Sequence, residues 1–255
     1  MPLYITSLNS GSNGNCYYVG NGQDAVLIDA GISRKQTELR MARLGLSLDT
    51  VRAIFVSHEH SDHVRGIHHL ASAYRLPVYI TTQTRQSVRL PDQKFPIKPF
   101  RSHESVWIGD LCVKAFPKYH DACDPHSFVV SYGDIRVGVL TDIGMACDEV
   151  VAHFSQCDAA FLEANYDEQM LASGPYPFVL KRRIQGGRGH LSNQQALALL
   201  RAHKPAHMSH VLLAHLSKDN NDPELVRQQF APHMDRTELV IASRYEETPV
   251  YTIGA

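Results

Sequence analysis

Residues 58–63 read His58-Glu59-His60-Ser61-Asp62-His63. Three imidazoles and the Asp62 carboxylate, packed this closely, form a donor set suited to borderline divalent metals such as zinc. The run follows the apolar stretch Arg52-Ala-Ile-Phe-Val-Ser57, where a strand is expected to hand over to a loop. In an extended chain alternate residues face one side, so His58, His60 and Asp62 are expected together and His63 opposite. A loop of that kind, rather than a helix, would serve two adjacent ions. The bland alternative is a solvated loop that happens to be rich in histidine. It is disfavoured because titratable groups seldom cluster so densely without a partner.

Later segments supply more donors. His120 lies in the turn-rich stretch Pro117-Lys-Tyr-His-Asp-Ala-Cys-Asp-Pro125 between two strand candidates. Asp142 follows the apolar run Val137–Thr141, and His215 ends Val211–Ala214. Ends of strands and the loops beyond them are where α/β proteins place ligand chemistry. Glu163 ends another such run, Ala159–Leu162. His190 opens Gly189-His-Leu-Ser-Asn-Gln194, which reads as a helix start capped by Ser192 or Asn193. Cys123 offers a soft alternative donor, although harder ligands abound.

Two segments have a composition suited to phosphate. In Ser10-Gly-Ser-Asn-Gly-Asn15, Gly11 and Gly14 permit tight turns, and Ser10, Ser12 and Asn15 can cradle an anion; a plain hairpin would look the same. Lys181, Arg182 and Arg183, with Arg188, form a basic cluster suited to an anionic backbone or to an ordinary solvated helix end. Tyr166, Tyr176 and Phe178 can stack on bases or cover the domain's own surface.

The elements that must position these residues alternate. Strands are expected at Leu3–Leu8, Cys16–Val19, Ala25–Ile28, Ala53–Val56, Val78–Ile80, Val113–Phe116, Phe128–Ser131, Val137–Leu140, Ala159–Leu162, Val211–Ala214, Leu239–Ile241 and Val250–Ile253. Helices are expected at Arg34–Leu44, Gly66–Tyr74, Asp148–Gln156, Asn193–His203 and Pro223–Phe230. Alternation of this kind predicts an α/β protein. A single domain over residues 1–255 is long enough for one large core. No stretch is apolar for long enough to span a bilayer, and Met1–Ile5 shows no charged n-region. Five cysteines without a CxxC pair suggest reduced thiols and a cytoplasmic setting. A net charge of -1 excludes a globally basic polyanion binder, so nucleic-acid contact must come from a local cluster.

The HxHxDH pattern of His58–His63 resembles the signature of the metallo-β-lactamase superfamily. That resemblance implies an α/β fold of four αββα layers, two mixed β-sheets flanked by helices, with a metal site at one edge. It assigns His58, His60 and His120 to a first ion, Asp62, His63 and His215 to a second, and Asp142 to a bridge. Two zinc or manganese ions, with iron also possible, are the implied cofactors, and a bridging hydroxide would be the nucleophile. Glu163 and Gly189-His190 resemble the paired glutamate and histidine of the tRNase Z branch. There the carboxylate orients the imidazole, favouring its charged, proton-donating form beside the phosphate; an ion pair, or support of a metal-binding histidine, is the alternative for Glu163. Asp62, Glu163 and His190 are thus the implied catalytic residues.

Ser10–Asn15, His120–Pro125, Gly174–Arg183, Gly189–Asn193 and Leu213–Asn221 resemble the YycJ/WalJ (VicX) group over nearly the whole chain. Membership would imply a cytoplasmic phosphodiesterase acting on nucleic acid, most simply a DNA exonuclease, with no membrane association and no obligate protein partner. A cyclic phosphodiesterase of the PhnP type is the enzyme alternative, and a regulator that kept the fold without turnover is the other. An open basic groove would favour the polymer, and a closed pocket the small molecule.

Overall fold

The structure, a computed structural model, describes residues 2–91 and 94–254. Met1 and Ala255, the ends of the expected 1–255 domain, lie outside the described residues, as do 92–93. In chain order the first half comprises β1 (Leu3–Asn9), β2 (Cys16–Gly20), β3 (Ala25–Ile28), α1 (Arg34–Arg43), β4 (Val51–Phe55), α2 (Ser61–Val64), α3 (Ile67–Tyr74), β5 (Val78–Tyr79), α4 (Thr82–Ser87) and β6 (Ile97–Lys98). The second half comprises β7 (Ser105–Ile108), β8 (Leu111–Pro117), β9 (His126–Tyr132), β10 (Ile135–Leu140), α5 (Asp148–Phe154), β11 (Ala159–Glu163), α6 (Glu168–Ser173), α7 (Phe178–Gln185), α8 (Asn193–His203), β12 (His210–Ala214), α9 (Pro223–Phe230), β13 (Glu238–Ile241) and β14 (Tyr251–Ile253).

The strands form two mixed sheets, ordered β14-β1-β2-β3-β4-β5-β6 and β13-β12-β11-β10-β9-β8-β7. In each, an antiparallel set continues into a parallel one: β3 to β6 run parallel in the first sheet, and β10 to β13 in the second. Parallel strands covered on both faces read as unbroken apolar runs, and β11 shows why. Ala159 and Phe161 enter the core between the sheets, whereas Ala160 and Leu162 enter the core beneath the helices. Three apolar clusters separate four layers. Val19, Phe55, Val130 and Phe161 lie between the sheets; Leu162, Phe154, Leu199 and Phe230 join the second sheet to α5, α8 and α9; Leu27, Ile54, Met41 and Leu70 join the first sheet to α1 and α3. The expected αββα sandwich of two mixed sheets flanked by helices is therefore present.

Six elements escape the sequence pattern. β6 has two residues, and β7 is an edge strand whose Trp107 points outward, 66% exposed. Helices α2, α4 and α6 have four to six residues, too short to show a 3.6-residue period. α7 buries none of its residues, so no apolar stripe marks it. Among the described residues, no helix is long and apolar enough to cross a membrane. All five cysteines are free.

Candidate metal centre

The histidine run is only half loop. β4 ends at Phe55, His58 and His60 follow in non-helical chain, and Asp62 and His63 then sit on the single turn of α2. The expectation that an extended run places His58, His60 and Asp62 on one side and His63 on the other is thus corrected: a helical turn, not a zigzag, places Asp62 and His63. Backbone hydrogen bonds fix this segment to the first sheet. Asn15 N–H donates to the Asp62 carbonyl at 2.7 Å, Ala30 N–H to His63 at 2.9 Å, and Gly66 N–H to Ala30 at 2.8 Å. A Cβ on Gly31 would collide with that same Asp62 carbonyl, so the approach requires glycine.

Two of the remaining donors, and one residue that supports them, stand at strand ends in strained backbone. Asp142, just beyond β10, has φ of 55°, and His215, directly after β12, has φ of 58°. Asp29, directly after β3, has φ of 62°. A left-handed conformation costs a non-glycine residue roughly 1–2 kcal/mol, which the surrounding structure must over-determine. Here it turns three side chains off the sheet edge towards the Asp62–His63 turn.

The side-chain donors of His58, His60 and His120 lie within 4.8 Å of one another, as do those of Asp62, His63 and His215. Asp142 spans the two sets: Oδ2 is 3.3 Å from His63 Nε2, and Oδ1 is 3.4 Å from His215 Nδ1 and 3.9 Å from His120 Nε2. His120 Nε2, Asp142 Oδ2 and His215 Nε2 are buried without a hydrogen-bond partner. Unpaired buried polar atoms are costly, and three that converge among imidazoles and carboxylates fit a cation. The donor set thus suits divalent metal.

Electrostatics divide the cage. Burial drives His58 well below the ordinary imidazole range and His120 to about 4, so both offer neutral lone pairs. Burial also opposes charge on His63 and His215, but the carboxylates prevail. Asp142, Asp29 and Asp62 hold His63 well above its usual value, and Asp142, Asp62 and Glu163 hold His215 at about 10. A group raised in the folded state stabilises fully below its unfolded value of 6.5, and that stability is lost as pH rises through the folded value. The metal-free protein should accordingly melt at progressively lower temperature between pH 6.5 and about 10, and zinc should flatten the trend. Because an ion must displace the same protons, zinc affinity should climb over this window. Melting curves with and without chelator test both; a metal-free Tm independent of pH there would refute the assignment of protons to these two rings.

Glu163 is fully buried and accepts four hydrogen bonds. Oε1 takes Nδ1 of His190 at 2.8 Å and Nδ1 of His215 at 3.0 Å; Oε2 takes the N–H of Ile143 at 2.7 Å and of Leu191 at 3.1 Å. Burial would raise its pKa, but His190 and His215 hold it at about 2. The two sequence readings of Glu163, partner of His190 and support of a candidate metal-binding histidine, are realised by one oxygen. His190 leaves its other ring nitrogen to a cleft lined by Ser12, Asp121, Tyr176 and Arg183. Ser192 caps α8 in a reciprocal box with Gln195.

Two other expectations, for Ser10 and Asn15, need correction. Ser10 and Asn15 are buried and turned inward. Ser10 Oγ accepts the His215 N–H at 2.7 Å, and Asn15 Nδ2 lies 3.1 Å from Asp62 Oδ2 and 3.0 Å from His63 Nε2, so both brace the cage and neither presents itself to substrate. Ser12 alone of the three borders the cleft. In the basic cluster, Lys181 Nζ donates to the Ala172 carbonyl at 2.6 Å, Arg182 lies over the Phe178 ring, and Arg183 pairs with Asp121. Cys123 engages Glu59 instead of the cage.

Two supports were missed. Asp29 Oδ2 lies 2.7 Å from Nδ1 of His63 and 2.8 Å from the Ser57 hydroxyl, leaving His63 Nε2 to the cage. It ends the apolar run Ala25–Ile28, the signal that exposed Asp142, and could have been found the same way. Lys118 is buried with Nζ on the Thr141 carbonyl at 2.6 Å, adding a cation beneath four carboxylates. Nothing in its local sequence marks it.

A family profile described as Beta-lactamase superfamily domain matches residues 24–215. The chain is 34% identical over 252 residues to exodeoxyribonuclease YycJ of Bacillus anthracis, covering 96% of this chain and 94% of that one. The chain belongs to the metallo-β-lactamase superfamily, in the YycJ/WalJ group. Exodeoxyribonuclease WalJ of Streptococcus pneumoniae is 30% identical over 239 residues, 91% of this chain and 88% of that one. Among solved structures, the metallo-β-lactamase fold protein YhfI of Bacillus subtilis superposes with a TM-score of 0.76 at 17% identity, covering 99% and 100% of the two chains; this similarity supports the fold.

Proposed function

We propose that this metallo-β-lactamase-fold hydrolase is a cytoplasmic, single-domain DNA exonuclease working with two divalent ions. His58, His60 and His120 would hold one ion, Asp62, His63 and His215 the other, and Asp142 would serve both. Zinc and manganese suit this imidazole and carboxylate mixture, and iron fits it as well. When bound, such ions activate water at neutral pH and polarise a phosphoryl oxygen. The protein's own part lies in Glu163 and His190: the buried carboxylate fixes the ring, whose free nitrogen meets the phosphodiester and hands a proton to the leaving oxygen.

The observation that carries this reading is the His190–Glu163 contact at 2.8 Å, placed between the cage and an open cleft. One wall of that cleft is α7, which buries nothing and exposes Phe178 at 72% and Val179 at 79%. Of the basic cluster Arg183 borders the cleft, and Lys181, Arg182 and Arg188 lie close to it in sequence, a local charge suited to a phosphate chain. The names of YycJ and WalJ point the same way.

The test compares polymer with minimal substrate. K181Q/R182Q removes two cations that touch none of the cage residues. It should raise KM for 5′-phosphorylated DNA and shrink the slope of log affinity against log salt by about 1 per lost phosphate contact. Hydrolysis of bis-p-nitrophenyl phosphate should be unchanged. Loss on neither DNA nor the minimal ester, together with turnover of 2′,3′-cyclic nucleotides in place of DNA, would overturn the exonuclease reading.

A further inference from the structure

Away from the cage, one other set of imidazole and carboxylate donors converges among the described residues. His103 occupies the turn before β7, and Glu149 and His153 stand one helical turn apart on α5, the i and i+4 spacing that puts two side chains on one face. Their donor atoms lie within 4.8 Å of one another. His103 Nε2 is 3.8 Å from Glu149 Oε1, and His153 Nε2 is 3.7 Å from Glu149 Oε2. Each carboxylate oxygen therefore faces a different ring, at a separation too long for a hydrogen bond. Two donors each about 2.1 Å from a tetrahedral zinc ion are about 3.4 Å apart. A few tenths of an ångström in these side chains closes the difference between Glu149 and each ring.

The set is also pre-arranged. The His153 ring stacks on buried Phe116 with centroids 4.1 Å apart and planes 22° from parallel, which fixes the direction of its lone pair. His103 adopts a left-handed φ of 65°, and its N–H is held by the Ala115 carbonyl at 2.7 Å. We propose that His103, Glu149 and His153 form a separate site for one borderline divalent cation of the zinc class, clipping the turn at His103 to α5. Burial lowers the pKa of His153, so its ring is neutral and able to ligate at physiological pH. With three protein donors and Lys114 close by, the site binds more weakly than the seven-residue cage and fills after it.

Both ends of the clip lead back to the cage. α5 begins at Asp148, in the segment that leaves Asp142, and Ser102 beside His103 holds His126 at 2.8 Å, closing the loop that carries His120. Occupation should thus stiffen the frame without touching substrate. Equilibrium dialysis of the full chain against zinc should reveal a weaker class of one equivalent per chain. H103N, which tolerates the left-handed backbone, and E149Q should each lose that equivalent, keep the tight class, and lose the further rise in Tm that excess zinc gives the wild type. His103 is exposed and Glu149 partly so, and equal Tm values in chelator would show that the variants fold. A wild-type isotherm lacking the weaker class, or variants that retain it, would overturn the proposal, whatever the cage itself binds.

Discussion

Asp142→Asn should empty both halves of the centre and reduce hydrolysis to background. Asparagine is the informative replacement, because it tolerates the left-handed backbone at φ 55° that alanine would resist. It keeps the shape and removes the charge shared by His63, His120 and His215. Loss of a partner that merely orients a metal ligand costs roughly 10–100-fold in affinity, so a carboxylate serving both ions should cost at least that at each. A second consequence concerns the metal-free protein. Asp142 is the leading attraction that raises both His63 and His215, so the variant's Tm should fall less between pH 6.5 and about 10 than the wild type's. His215→Asn, by contrast, should drain mainly the second ion. Metal analysis after dialysis decides: if Asp142→Asn retains one ion at wild-type affinity, Asp142 is a ligand of one site and no bridge.

What could be read in the sequence followed from density and periodicity. His58–His63 stands out because donors crowd one segment, and Asp142, Glu163 and His215 stand out because each ends an apolar run. The same rule applied to Ala25–Ile28 gives Asp29. Lys118 is different in kind: a lysine after a strand reads as surface, and its burial depends on four carboxylates contributed by distant segments. Ser10 and Asn15 carry a parallel lesson. Their residue types suit a phosphate cradle, but only the fold shows that Ser10 faces the His215 N–H and Asn15 faces Asp62 and His63. The basic cluster was visible as charge, whereas its pairings with Ala172, Phe178 and Asp121 required α7 to be placed. Local pattern thus reveals donors, and three-dimensional placement decides which are already engaged.

His190→Ala and Glu163→Gln should not be equivalent, although both residues serve one proton-handling function. His190 lies against the cage, its ring centroid 5.2 Å from that of His120 and 5.1 Å from that of His215, with Nδ1 committed to Glu163, and it borders the cleft; alanine there should lower kcat by roughly 10²–10⁴-fold and leave metal content intact. Glu163→Gln should reach further. One carboxylate oxygen accepts from two imidazoles and the other from two backbone N–H groups. An amide has a single oxygen, so whichever way it turns, its NH₂ group faces two donors. Each unpaired buried donor costs roughly 1–3 kcal/mol, and the His215 ring loses its anchor. The expected result is a lower Tm, weaker retention of the second ion, and a turnover loss at least as large as that of His190→Ala. The double variant should fall far short of the product of the single effects, since the second change removes a function already lost. Two outcomes would break this account. Metal loss in His190→Ala would make that ring a ligand or its close support, and full metal retention with unchanged Tm in Glu163→Gln would separate Glu163 from His215.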